Sequence, residues 1–262
     1  MLKPGTPRPS RGRHRGPLHG VPIAGADPHD PTTVALPVPD YLAGLDAPTG
    51  PVRIGVDRAY NETRVDQATI GMLDDVVVVL RRLGATIVEV TLPDTSTINA
   101  VWPRYAGVEA AIAHQETYPS HASEYGPADT PRSIAGLITH GHTASAIELM
   151  HAHHQRLAFT GGLARTLCDV DVLLALVQPT TSLTLAQEAL YADPEALTDF
   201  LRFVTPFNMA GAPTITRPGG VGEDDMPLGF QFAGRPFEER LLIRLDHAYQ
   251  RETDWHLRHP AL

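Results

Sequence analysis

The sequence predicts an α/β fold in which helices flank a mixed, mainly parallel sheet. Three stretches carry that reading. Val52–Asp57, Val65–Leu83 and Ala85–Val90 read as strand, helix and strand, and so compact a βαβ unit calls for a parallel pair joined by a right-handed crossover. Asp171–Val177 is a short apolar run suited to a strand buried on both faces. Phe203–His256 reads as turn, strand, loop, strand and helix, the most ordered-looking part of the chain.

Taken in order, residues 1–15 (MLKPGTPRPSRGRHR) are proline, glycine and arginine and are expected to be disordered. They suit either a basic arm for an acidic partner or a solvated tail. Residues 16–24 form a short strand-like piece, residues 25–51 a proline-rich connection, and residues 52–262 a single α/β domain. Within that domain Val65, Ala68, Met72, Leu73, Val76, Val79, Leu80 and Leu83 recur at helical spacing, and Gly84 stops the helix. Ile98–Glu116 is helical in character, with Pro103 as a candidate for its true start. Residues 117–142 are rich in proline, glycine, serine and histidine and read as loop with room for one short helix. Thr143–Leu167 is a long helix carrying Ile147, Met150, His154, Leu157 and Ala158 on one face. Asp193-Pro194 opens another helix as cap and first-turn proline. Thr214–Thr216 is a strand closed off by Pro218-Gly219-Gly220, and Leu228–Gly234 is its partner. The last helix opens near Phe237-Glu238 and buries Leu241, Leu242, Leu245, Ala248 and Tyr249.

Composition narrows the function. A net charge of −9 argues against broad nucleic-acid binding. One cysteine, Cys168, rules out an internal disulfide. No apolar run is long enough for a membrane span, and the N-terminus lacks a signal segment, so the expected location is cytoplasmic. No cofactor loop of the Walker or dinucleotide type is present, and no cofactor is expected.

The C-terminal stretch is similar to a known family. Thr205-Pro206-Phe207-Asn208, Gly211 and Pro213 fit T-P-F-N-x-x-G-x-P, and Pro227, Gly229, Gln231 and Gly234 fit P-x-G-x-Q-x-x-G, followed by Glu239, Leu241 and Leu242. On these residues the chain resembles the amidase signature family, which includes bacterial amidases, fatty acid amide hydrolase and the glutamyl-tRNA amidotransferases. Gly16–Ala24 resembles the strand that leads into that family's catalytic lysine, whose position falls on Ala26. Gly25–Pro31 also fits the family's G-x-D-P-x-D-P connection, which normally lies far downstream. The resemblance therefore implies a partial amidase-signature fold running from one segment to the other without the signature region between. It further implies a cavity wall built from Thr180, after the Asp171–Thr181 strand and loop, with Thr205, Phe207 and Asn208, and a small-molecule amide as substrate.

The chemistry implied by the resemblance uses a serine nucleophile, a second serine in a cis peptide and a lysine base. A hydroxyl is inert near neutrality until a placed base takes its proton. Here Ser10, Ser96, Ser120, Ser123, Ser133, Ser145 and Ser182 are the serines, no two adjacent, and the one lysine is Lys3. No catalytic residue is therefore named, and the first expectation is an amidase-family pseudoenzyme. A second is a non-enzymatic interaction module that pairs with an intact paralogue. A third uses His140, His142, His151, His153 and His154 for a metal. Against it, the helix face with His151 and His154 also carries Ile147 and Leu157, and nothing completes a tetrahedron. Loss of neighbouring strands would leave a bare sheet edge, and self-association through that edge is expected.

Overall fold

The computed structural model describes residues 24–30, 32–126, 133–181, 194–222 and 225–258. Two compact units divide the chain, residues 1–45 and 46–262. The readings placed on residues 1–23 and on Asp193 lie outside the described residues. In the first unit the described backbone is a series of turns. Asp27 and Asp30 accept from the backbone N–H groups of His29 and Thr32, and Asp40 from Leu42 and Ala43, the local bonding for which aspartate is favoured in turns.

The second unit opens with the βαβ motif. It comprises β1 (Arg53–Val56), α1 (Arg58–Glu62), α2 (Gln67–Arg82) and β2 (Thr86–Glu89). β1 and β2 are parallel, with Ile54 opposite Ile87. Asp66 caps α2 by accepting from the Thr69 backbone N–H, and Leu73, Val76 and Leu80 are fully buried on its inner face. Gly84, at φ +90°, closes the helix in the left-handed region that a Cβ disfavours.

Next come α3 (Thr95–Ala113), α4 (Tyr118–His121), a 3-10 turn at Ala122–Glu124, α5 (Ile134–His142) and α6 (Ala146–Asp169). Three sequence readings change here. α3 runs straight through Pro103. The proline removes one donor, yet Asp94 caps the helix at Ser96, and packing against α5 and α6 outweighs the lost bond. Among the described residues of 117–142 two helices form, α4 and α5, and Ser133 caps α5 by accepting from Gly136. α6 buries Ala152, Phe159, Leu163 and Leu167, whereas the predicted stripe of Ile147, Met150 and Leu157 faces solvent.

β3 (Val172–Leu176) is buried along its whole length. α7 (Pro194–Leu201) and α8 (Thr205–Ala210) lead to β4 (Thr214–Val221), β5 (Pro227–Ala233), α9 (Glu239–Glu252) and a 3-10 turn at Trp255–Leu257. β4 does not stop at Pro218; it continues through a bulge between Pro218 and Gly220 and still pairs with β5. The strand order is β2-β1-β3-β5-β4. β3 is parallel to β1 and antiparallel to β5, which is antiparallel to β4. Four strands thus share one direction and only β5 is reversed.

Strand alternation sorts the core. Phe230 and Phe232 turn toward α9, where the Tyr249 ring lies 4.9 Å from Phe230, and Gln231 turns the opposite way. Asp246 on α9 is fully buried and paired with Arg217 of β4. Burial pushes its carboxyl above the usual carboxylate range, and the Arg217 guanidinium offsets part of that rise. Among the described residues no helix is long and apolar enough to cross a membrane.

Candidate functional site

In an open α/β sheet, ligands gather outside the carboxyl ends of the strands where connections reverse direction. Here that point lies between β1 and β3, because β1 leads to β2 on one side while β3 takes the other. The chain leaving β3 there is Val177–Thr181, which contains Thr180.

The end of β3 is held by side chains. The β1 ladder reaches only Val172 and Leu173, so further along that edge the β3 backbone has no strand partner. Asn61 of α1 fills the gap. Its Oδ1 accepts from the Leu176 N–H at 2.9 Å, and its Nδ2 donates to the carbonyls of Asp57 at 2.9 Å and Leu174 at 3.4 Å. Gln231 works from the β5 side, donating through Nε2 to the Leu176 carbonyl at 2.9 Å and the Phe203 carbonyl at 2.8 Å. Both side chains are buried, so each bond also satisfies a backbone group cut off from water.

The same centre places α1 and α8. Arg202 donates to the carbonyls of Tyr60 and Thr63 at the end of α1, and its guanidinium stacks 4.0 Å from the Phe203 ring. A cation there complements the helix C-terminus. The Tyr60 hydroxyl returns a 2.7 Å bond to the Arg202 carbonyl, and burial raises its pKa well above the ordinary tyrosine value. α8 begins with Pro206 in its first turn and ends at Gly211, whose φ of +67° makes glycine the fitting residue. Arg156 of α6 donates to the Met209 carbonyl and to the Tyr105 hydroxyl, both at 2.6 Å, anchoring the far end of α8.

The four wall residues fare differently. Thr205 and Phe207 are buried at 2% and 1% exposure, and Phe207 belongs to the central core. Asn208 is exposed and Thr180 half-buried, so these two have surface to offer a ligand. Thr180 is tied to Asp66, and the Pro179 carbonyl accepts from the Asp66 N–H at 3.1 Å. Burial works to raise the Asp66 carboxyl, but the hydrogen bonds from Thr180 and Thr69 outweigh it and hold the carboxyl below its ordinary value. Sequence reasoning missed Asn61 and Arg202, whose partners on β3 and α1 lie 113 to 142 residues away. Clefts of about 430 Å³ between α3, α5 and α6 and about 560 Å³ beside β2 are lined by none of the four.

Ser133 and Ser145 cap α5 and α6, and Ser96 donates to Asp94, the cap of α3. Ser120 lies 2.9 Å from His121, but its hydroxyl also donates to the Thr117 carbonyl and the pair is exposed at the end of α4. Ser10, Ser182 and Lys3 lie outside the described residues. Among the described residues no three His, Cys, Asp or Glu side chains could hold a metal, so the histidine cluster does not assemble a site.

Comparison with known proteins decides the family. The profile described as Amidase matches residues 22–243. The chain belongs to the amidase signature family. It is 41% identical over 241 residues to a putative amidase, AmiD, of Mycobacterium tuberculosis, covering 92% of this chain and 49% of the relative. It is 32% identical over 260 residues to a component of the glutamyl-tRNA(Gln) amidotransferase of Chloroflexus aggregans, covering 92% and 52%. The chain thus spans about half the length of the curated relatives it matches. Among solved structures, a bacterial aryl acylamidase of the family aligns with a TM-score of 0.71 at 19% identity, over 89% of this chain and 50% of that one. A 6-aminohexanoate cyclic dimer hydrolase aligns with a TM-score of 0.70 at 19% identity, over 90% and 52%. Both share the fold.

Proposed function

We propose that these 262 residues form the cavity-wall half of an amide-hydrolysing fold and do not hydrolyse amides by themselves. One observation carries the reading. The family's fold is present around a braced β3–α8 corner, but the chain has no adjacent serines and its one lysine is in the N-terminal tail. Without a placed base the hydroxyls stay protonated, and without glycine-rich amides nothing collects the charge of a tetrahedral intermediate. Asn208 and Thr180 contact the amide substrate in this reading, with Thr205 and Phe207 as their buried support. The putative amidase name of the mycobacterial relative favours a small amide over a macromolecular substrate.

The test is ammonia or aniline release from acetamide, benzamide and acetanilide by the purified chain. The expected result is the buffer rate for each. Turnover that co-purifies with the chain and survives deletion of residues 1–15, which excludes Lys3, overturns the proposal.

A further inference from the structure

The five-stranded sheet ends in β2 on one side and β4 on the other. β4 is a poor pairing edge, because it carries Pro218 and the bulge beside it. β2 has neither device. Thr86-Ile87-Val88-Glu89 is a β-branched run without proline, glycine or lysine. Its backbone groups alternate between two neighbours. The N–H groups of Thr86 and Val90 donate to the carbonyls of Val52 and Val56, and the parallel register puts Val88 on the same side. By alternation the N–H and C=O groups of Ile87 and Glu89 point outward along the open edge.

We infer that two copies of this chain pair edge to edge through β2, antiparallel, about a twofold axis at Val88. In that register Ile87 of each copy lies opposite Glu89 of the other, and each such pair exchanges both of its outward backbone bonds. The edge is its own complement, since a twofold turn sets its outward donors against its outward acceptors, as an isologous contact requires. Val88 and Val88 of the second copy then form the non-hydrogen-bonded pair on the axis.

The cleft of about 560 Å³ beside β2 supports the same partner. Val88 and Val90 are half-buried in it, and Arg53, Arg165, Glu89 and Asp169 line it with both signs of charge. A second copy brings the same mixed rim, so two chains of net charge −9 meet where the local charges balance. The edge expected from sequence to self-associate is therefore β2. With four residues on each side the contact is small, and a dissociation constant on the order of 10 µM is expected.

Sedimentation of the full chain from about 1 to 200 µM should show the mass doubling. Val88→Lys puts two like charges on the axis and should abolish the doubling while the circular dichroism spectrum stays that of the folded chain. In a Cys168→Ser background, Val88→Cys should give a disulfide-linked dimer under mild oxidation. Opposed Cα atoms of a non-hydrogen-bonded pair are about 4.5 Å apart, within disulfide reach. Thr86→Cys, two residues off the axis, and Ile147→Cys, on the exposed face of α6, should not cross-link; these cysteine chains decide the matter if Val88→Lys unfolds. A monomer at 200 µM, a folded Val88→Lys chain that still doubles, or a dimer trapped by Thr86→Cys or Ile147→Cys and not by Val88→Cys overturns the inference.

Discussion

Gln231 shows how one side chain can join two parts of a fold. Its amide bonds the last carbonyl of β3 and the Phe203 carbonyl just before α8, so strand end and helix start move together. Gln231→Leu keeps the volume and removes both donors. Two buried carbonyls then lose their partners at about 1–3 kcal/mol each, partly recovered by relaxation, so a loss of roughly 2–4 kcal/mol is expected. Urea unfolding measures it, and an unchanged midpoint would contradict the bracing role. This residue was legible because the family pattern singles it out. Asn61 was not, since a lone asparagine after a strand looks like any turn residue until Leu176 is seen beside it. Asp246 was hidden for a related reason. It sits between Leu245 and His247 on a helix whose stripe reads as purely apolar, and Arg217 on β4 is the main partner that makes its burial tolerable.

Elements were easiest to read where one partner explained the whole pattern. α2 and α9 each bury a single stripe against the sheet, and both were visible as periodicity. α6 has two apolar faces: Phe159, Leu163 and Leu167 fill the inner one beside the small Ala152 and Gly162, while the stripe legible in the sequence, Ile147, Met150 and Leu157, stays exposed. α5 lies in a stretch read mainly as loop because residues 117–142 are rich in proline, glycine, serine and histidine. The reason for its glycine is a close crossing with α3: a Cβ on Gly141 would come within 2.0 Å of the Gly107 carbonyl oxygen. Gly141→Ala should therefore force the two helices apart and cost on the order of 2–3 kcal/mol, as overpacking does. Gly71 on α2 is the control, with nothing within 4 Å of its built Cβ. Gly71→Ala should stabilise by about 0.5–1 kcal/mol through helix propensity alone. Thermal melts of the two variants should move in opposite directions; a common sign would mean the α3–α5 crossing does not set the tolerance.

At the scale of the molecule, the question is whether this chain, matching half the length of its relatives, closes a core of its own. The residues say it does. Ile54, Val56, Leu73, Leu80, Leu176, Phe230 and Phe232 are each at 0% exposure, and the whole apolar cluster runs from Val52 to Tyr249. Among the described residues, every member of that cluster lies within the second compact unit, residues 46–262. The ties just beyond that boundary stay within the second unit: Asp46 meets His247 at 2.9 Å, and the Pro48 carbonyl accepts from Arg244 at 2.7 Å. A chain beginning at Asp46 therefore keeps every described member of the core and both ties. It should melt in one cooperative transition within about 3 °C of the full chain, since in a domain of this size a shift of 2–4 °C corresponds to about 1 kcal/mol. Differential scanning calorimetry decides it. A broad transition, or a fall beyond about 10 °C, would show that residues before Asp46 complete the core. An unchanged melt would make Asp46 the physical start of the folded domain, with the proline-rich connection serving only to tether what precedes it.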